Sequence, residues 1–218
     1  DLAAHSIFGG LICHEDASVG DYEDDSPPGR AWLREMGLPG DLEVIRRDPE
    51  LRQRFTRAKA RALADFTLEL TGVAEGWSKK LKTARNIYAM ALIEPAAEEW
   101  LSQNLDDFLA DYDYTAVMAM PYMENVSDPE EWLKSLADIV KRRPLGARKA
   151  VFELQAVDWR KGRRRLVSGK TLAGWMRLLR RNGIGNYGYY PEDPVTGHPE
   201  VRALYPAFSL QANPVPVE

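Results

Sequence analysis

The sequence predicts an α/β fold built on parallel strands, and three observations carry that prediction. Five short apolar runs alternate with stretches of helical periodicity. The runs are nearly continuous in apolar character, as strands covered on both faces must be. Polar and aromatic residues stand at the C-terminal end of each run, the rim at which a (β/α) barrel gathers its functional groups. No glycine fingerprint of a nucleotide-binding sheet follows any of them. The predicted architecture is therefore a TIM-like (β/α) barrel rather than a doubly wound sheet. Such a barrel closes with about eight strands in roughly 250 residues. Five are legible, so the chain is expected to supply only the later strands of a barrel over residues 1–210, with an extended tail over 211–218.

The strands fall at residues 7–13, 83–89, 115–122, 150–157 and 185–190. A long insert follows the first and contains one or two short helices between residues 27 and 47. Asp48 as N-cap and Pro49 at the first helical position open a long helix to about residue 70, with Phe55, Leu63, Phe66 and Leu70 at helical spacing. Glu94 and Pro95 open a second helix, striped by Trp100, Leu101, Leu105, Phe108 and Leu109. Ser127-Asp128-Pro129 opens a third, carrying Trp132, Leu133, Leu136 and Ile139. Ser168 opens a fourth, with Leu172, Trp175, Met176 and Leu179 inward, and Asn182-Gly183 ends it. The aromatic stripes are assigned to core.

Composition narrows the function. A 44% hydrophobic content over 218 residues suits a globular domain, and a formal charge of -4 with a pI near 5.6 argues against a nucleic-acid partner. The single Cys13 excludes an internal disulfide or Cys-rich zinc cluster and is expected to be a buried thiol. His5, His14 and His198 do not form a metal-ligand motif, so neither metal nor other cofactor is expected. No run of eighteen apolar residues occurs and no leader-like segment opens the chain. The start reads as a boundary within a longer protein.

The site residues follow from the strand ends. The first strand stops at "HEDA", where Asp16 is the favoured catalytic carboxylate, or else a cap on the following turn. His14 orients it, contacts substrate, or serves as a structural donor. Glu15 lies opposite them if the strand extends that far; it and the acids at 21 and 23–25 read as solvated. Glu153 lies within an apolar strand, where a carboxylate is costly unless paired, for instance with Arg85, or used in catalysis. Asn86 and Gln155 complete the polar set. Tyr22, Tyr122, Trp159, Tyr187, Tyr189 and Tyr190 offer flat apolar faces with polar edges, suited to sugar rings. Two carboxylates with aromatic platforms fit glycoside hydrolysis.

Taken in order, "GLICHEDASVGDYEDDSP", "FTLEL", "KTARNIYA", "YDYTAVMAMPYME", "ELQAVDW" and "NYGYYPEDP" resemble the C-terminal domain of the PgaB-type poly-β-1,6-N-acetyl-D-glucosamine N-deacetylases. The resemblance runs along nearly the whole chain. It implies a (β/α)-barrel glycoside hydrolase domain acting endo on partially deacetylated poly-N-acetylglucosamine, a biofilm polymer. It also implies an upstream polysaccharide deacetylase domain, a periplasmic and outer-membrane-associated location, and an outer-membrane export porin as a further partner. The family's His-Asp-Asp-Ala reads His14-Glu15-Asp16-Ala17 here, with Glu in place of the first Asp. Asp16 is then the general acid and Glu153 a second catalytic carboxylate, with His14, Glu15, Arg85, Asn86, Gln155 and the aromatic residues around the sugar. The alternative is a non-catalytic module that guides the polymer to export with the same groups.

Overall fold

The computed structural model describes residues 2–6, 8–20, 23–78, 80–162 and 164–208, in two compact units, Asp1–Asp113 and Tyr114–Glu218. Ile7, read as the first strand's start, and the 211–218 tail lie outside the described residues.

The first unit contains α1 (Leu2–His5), β1 (Gly10–Cys13), α2 (Pro27–Glu35), α3 (Leu42–Arg47), α4 (Pro49–Glu75), β2 (Lys82–Tyr88), α5 (Ala89–Ile93), α6 (Glu98–Leu101) and α7 (Leu105–Asp111). β1 and β2 are parallel, with Leu11 opposite Thr83 and Cys13 opposite Arg85. Ser26, Asp41 and Asp48 cap α2, α3 and α4 by accepting from free amides of the first turn. The insert helices bury Leu33, Leu38, Leu42 and Ile45 around Phe55 of α4. Arg57 and Arg61 on α4 pair with Glu98, Asp107 and Asp111, binding α4 to α6 and α7.

Two helix expectations are corrected here. Phe66 and Leu70 are 55% and 50% exposed. The face that α4 buries along its second half is the narrow stripe of Ala60, Ala64, Thr67 and Thr71, and the bulky residues flank it. The insert packs on the first half of α4, at Leu51, Phe55 and Ala58. The helix read from Glu94 is also interrupted. A 3-10 turn spans Pro95–Ala97, and left-handed Ser102 (φ 52°) ends α6 before Asn104 caps α7. Trp100, assigned to core, is exposed.

The second unit contains β3 (Tyr114–Ala119), α8 (Pro129–Lys141), α9 (Gly146–Lys149), β4 (Ala150–Gln155), β5 (Val157–Asp158), β6 (Arg165–Leu166), α10 (Gly169–Arg181), β7 (Tyr187–Tyr190) and α11 (Val201–Phe208). β3, β4 and β7 are parallel and in chain order, with Met118, Glu153 and Gly188 aligned across them. Asp128 and Ser168 cap α8 and α10 as read, and Gly183 (φ 82°) follows the Asn182 C-cap. Leu133, Leu136, Phe152, Leu154, Leu172, Met176 and Leu179 form a fully enclosed core between helices and sheet. The antiparallel β5–β6 pair, with Val157 opposite Leu166, was not predicted.

Candidate functional site

In the first unit β1 stops at Cys13, and after His14 the chain turns at Glu15 and Asp16. The strand does not continue, so alternation no longer separates Glu15 from its neighbours. His14 Nδ1 lies 2.7 Å from Glu15 Oε2 and 3.5 Å from Asp16 Oδ2. The two acids differ sharply: the Asp16 side chain is 88% exposed and that of Glu15 is 11% exposed. Asn86 Nδ2 donates to Glu15 Oε2 at 3.2 Å, fixing the buried carboxylate from β2. Glu15 is thus not solvated, as its place in a charged run suggested; it is the interior member of the pair. Among the described residues, His14, Glu15 and Asp16 are the one His/Cys/Asp/Glu group whose donor atoms all lie within 4.8 Å. The Glu15 carboxylate is already engaged by imidazole and amide. Cys13 is half-buried.

Arg85, one residue before Asn86 and so on the other face of β2, is fully buried. Its guanidinium stands 5.4 Å from the Phe108 ring of α7, and Nη2 donates to Ala17 O at 2.7 Å. Its expected place beside substrate is corrected: it supports the 14–20 loop from the helix side.

In the second unit Gln155 is also enclosed. Its Oε1 accepts from Tyr122 N and Met123 N at 3.0 and 3.1 Å, and Nε2 donates to Val157 O at 2.7 Å. It secures the two loops leaving β3 and β4, which corrects its reading as a sugar contact. Tyr187 leaves the site as well: its buried hydroxyl donates to Ala207 O and accepts from Arg180 Nε, both at 2.8 Å, and its ring packs on Phe208. Glu153, half-buried, shares its sheet face with Gln155, and its register partner Gly188 leaves open space where a side chain would stand. Tyr190 (48% exposed) pairs with Gln155, and Tyr189 is half-buried at the same strand end. Burial and the nearby Glu192 carboxylate push the Tyr189 hydroxyl up. Tyr22 lies outside the described residues.

Sequence reasoning missed a built feature around Tyr122. Arg160 stands 4.6 Å over the Tyr122 ring and is held by a two-pronged pair with Asp158, Nε to Oδ1 at 3.0 Å and Nη2 to Oδ2 at 2.9 Å. Those bonds hold the Asp158 carboxyl below its ordinary range. A cleft of about 230 Å³ opens there, lined by Tyr122, Asp158, Arg160, Arg165, Ser168 and Thr171 among others. Trp159, exposed, lies between the paired residues. The spacing "DWR" after an apolar strand was the available signal. Glu124, half-buried in the loop after β3, was also missed; burial pushes its carboxyl up.

Parallel strands under a helical layer, with acids, imidazole and aromatic rings at their ends, define a carbohydrate-active α/β domain. Residues 1–190 match Hypothetical glycosyl hydrolase family 13, and the chain belongs to that family. It is 44% identical over 218 residues to the poly-beta-1,6-N-acetyl-D-glucosamine N-deacetylases of Escherichia coli K12 and O157:H7. That match covers 98% of this chain and 32% of theirs, so the chain spans about a third of those relatives. It is 42% identical to the solved PgaB (BpsB) glycoside hydrolase domain of Bordetella bronchiseptica, with a TM-score of 0.90 over 96% of this chain and 59% of that one. The architecture is accordingly a partial (β/α) barrel.

Proposed function

We propose that this domain hydrolyses partially deacetylated poly-β-1,6-N-acetyl-D-glucosamine within the chain of the polymer, with Asp16 as general acid. The observation that carries the reading is the His14 imidazole set against two carboxylates, one enclosed and one open to solvent. The open carboxyl is the one a polymer can reach. Asp16 donates its proton to the leaving glycosidic oxygen as positive charge develops on the sugar ring. Glu15, gripped by Asn86, holds the imidazole, and the imidazole orients Asp16. Glu153 is the second carboxylate. His14, Tyr122, Trp159, Tyr189 and Tyr190 contact the sugars, the rings by stacking on C–H faces. Ammonium groups of glucosamine units are drawn to the acids of residues 23–25.

The deacetylase name of the Escherichia coli relatives, and the hydrolase-domain name of the Bordetella structure, support this polymer as substrate. On the same reading the complete protein carries an upstream deacetylase domain, works in the periplasm at the outer membrane, and passes polymer to an export porin. Asp16→Asn in the complete hydrolase domain is expected to lower the cleavage of defined, partly deacetylated oligosaccharides by about a hundred- to ten-thousand-fold, with polymer binding retained. Product sizes by mass spectrometry provide the readout. Equal cleavage by both forms removes Asp16 as the acid. Binding without cleavage by either form makes the domain a guide for the polymer.

A further inference from the structure

Three buried polar side chains of the first unit converge on the main chain just after Asp16. Arg85 Nη2 donates to Ala17 O (2.7 Å), Ser102 Oγ to Val19 O (2.6 Å) and Lys59 Nζ to Gly20 O (2.8 Å), with Val19 O a further 3.4 Å from the ammonium. They come from β2, from the left-handed junction after α6, and from α4. Lys59 is 2% exposed, and Arg85 and Ser102 are fully enclosed. Enclosing an ammonium is costly unless it is fully hydrogen-bonded. Lys59 meets that need by also donating to Glu99 O (2.7 Å) in α6 and by lying 4.7 Å from the Phe55 ring. A packing role alone would suit Leu or Met at this position.

We propose that Lys59 is a positioning residue for the hydrolytic reaction. With Ser102 and Arg85 it clamps residues 17–20, and through them it fixes the direction in which Asp16 leaves the turn. This rests on the reading of Asp16 as the acid. Lys59 touches neither substrate nor reacting atoms; it acts by removing the freedom of the loop. Misplacing a reacting group by about 1 Å can cost on the order of a hundredfold in rate.

The test compares Lys59→Met, which keeps the length of the side chain, and Ser102→Ala, which removes a single bond, in the complete hydrolase domain. The expected result is a kcat lowered about a hundredfold in Lys59→Met, with a lesser fall in Ser102→Ala and KM nearly unchanged in both. Amide hydrogen exchange at Ser18, which donates to Asp16 O, and at Gly20, which donates to Glu23 Oε2, should quicken while the amides of β3 and β4 keep their protection. A wild-type kcat in a folded variant overturns the proposal, as does unchanged exchange at those two amides. If Lys59→Met fails to fold, Ser102→Ala decides. Asp16→Asn run alongside separates the two claims. Full activity there removes the acid assignment; an inactive Asp16→Asn beside a fully active Lys59→Met removes only the clamp.

Discussion

The two units enclose different interiors. Among the described residues, Asp1–Asp113 buries ten polar or charged side chains beside fifteen apolar ones, whereas Tyr114–Glu218 buries four beside twenty-five. Their charges differ as well. Residues 1–113 carry 22 Asp and Glu against 13 Lys and Arg, a formal -9, and residues 114–218 carry 11 against 16, a formal +5. A buried polar group must find a partner or cost stability, so the first unit's interior is organised by what its donors hold. Much of that effort goes to the 14–20 loop. The second unit has an ordinary apolar core and holds Asp158 and Arg160 as a closed pair just after β5 begins. Shape in the second unit comes from packing; in the first, an apolar core is joined by a larger share of buried hydrogen-bonding side chains.

The largest test of this contrast is Phe152→Ala. Removing a fully enclosed ring should cost about 3–5 kcal/mol, read as a fall in the urea midpoint. A loss under 1 kcal/mol would mean that the second unit is not held by its core. Next comes Thr67→Val, which keeps volume but removes a hydroxyl bonded to Tyr112 Oη and to the Leu63 and Ala64 carbonyls. A cost of about 1–3 kcal/mol is expected, whereas neutrality would show that the first unit's polar interior is dispensable.

How far the sequence anticipated this contrast depends on the kind of interaction. N-caps at Asp48, Asp128 and Ser168 were legible because capping is local, and the parallel strands were legible because both their faces are apolar. The strand ends were legible as places, less so as chemistry. Arg85 in the middle of β2, Gln155 at the end of β4 and Tyr187 at the start of β7 were all read as facing the rim, and all bond inward. Period-two alternation sets which face a residue takes, but one sequence does not show which face is open. Phe66 and Leu70 misled for a related reason: helical spacing identifies a stripe, not how far a neighbouring insert covers it. Lys59 had no signal, since a lysine in a charged helix reads as solvated.

A smaller effect is expected at Asp113, where the hydrogen bond from Lys82 Nζ (2.7 Å), with help from Thr83 N, holds the carboxyl below its ordinary range. A depressed acid contributes stability above its unfolded value near 3.8, and that stability is lost as pH falls through the lower folded value. Asp113→Asn should therefore destabilise by about 1 kcal/mol at pH 7 and lose its effect in strong acid, as measured by thermal melts across pH. The smallest effect has the opposite sign. Burial raises Glu124, so the folded state retains its proton longer and stability falls as pH rises above about 4.5. Glu124→Gln should leave the melting temperature unchanged in acid and raise it slightly at pH 7. If it instead lowers the melting temperature at pH 7, the carboxylate is held by a partner.

The clamp on the 14–20 loop grips carbonyl oxygens, at Ala17, Val19 and Gly20, and every amino acid has one. Recognition of that kind is blind to side-chain identity. The loop can therefore exchange residues at 17 and 19 while its path is preserved, whereas positions 59, 85 and 102 tolerate few replacements. In a saturation library, tolerance should be high along the stretch that borders the acid and low at three sites far from it in sequence. On the proposed reading of Asp16, such a division lets residues 17 and 19 vary without moving the acid beside them.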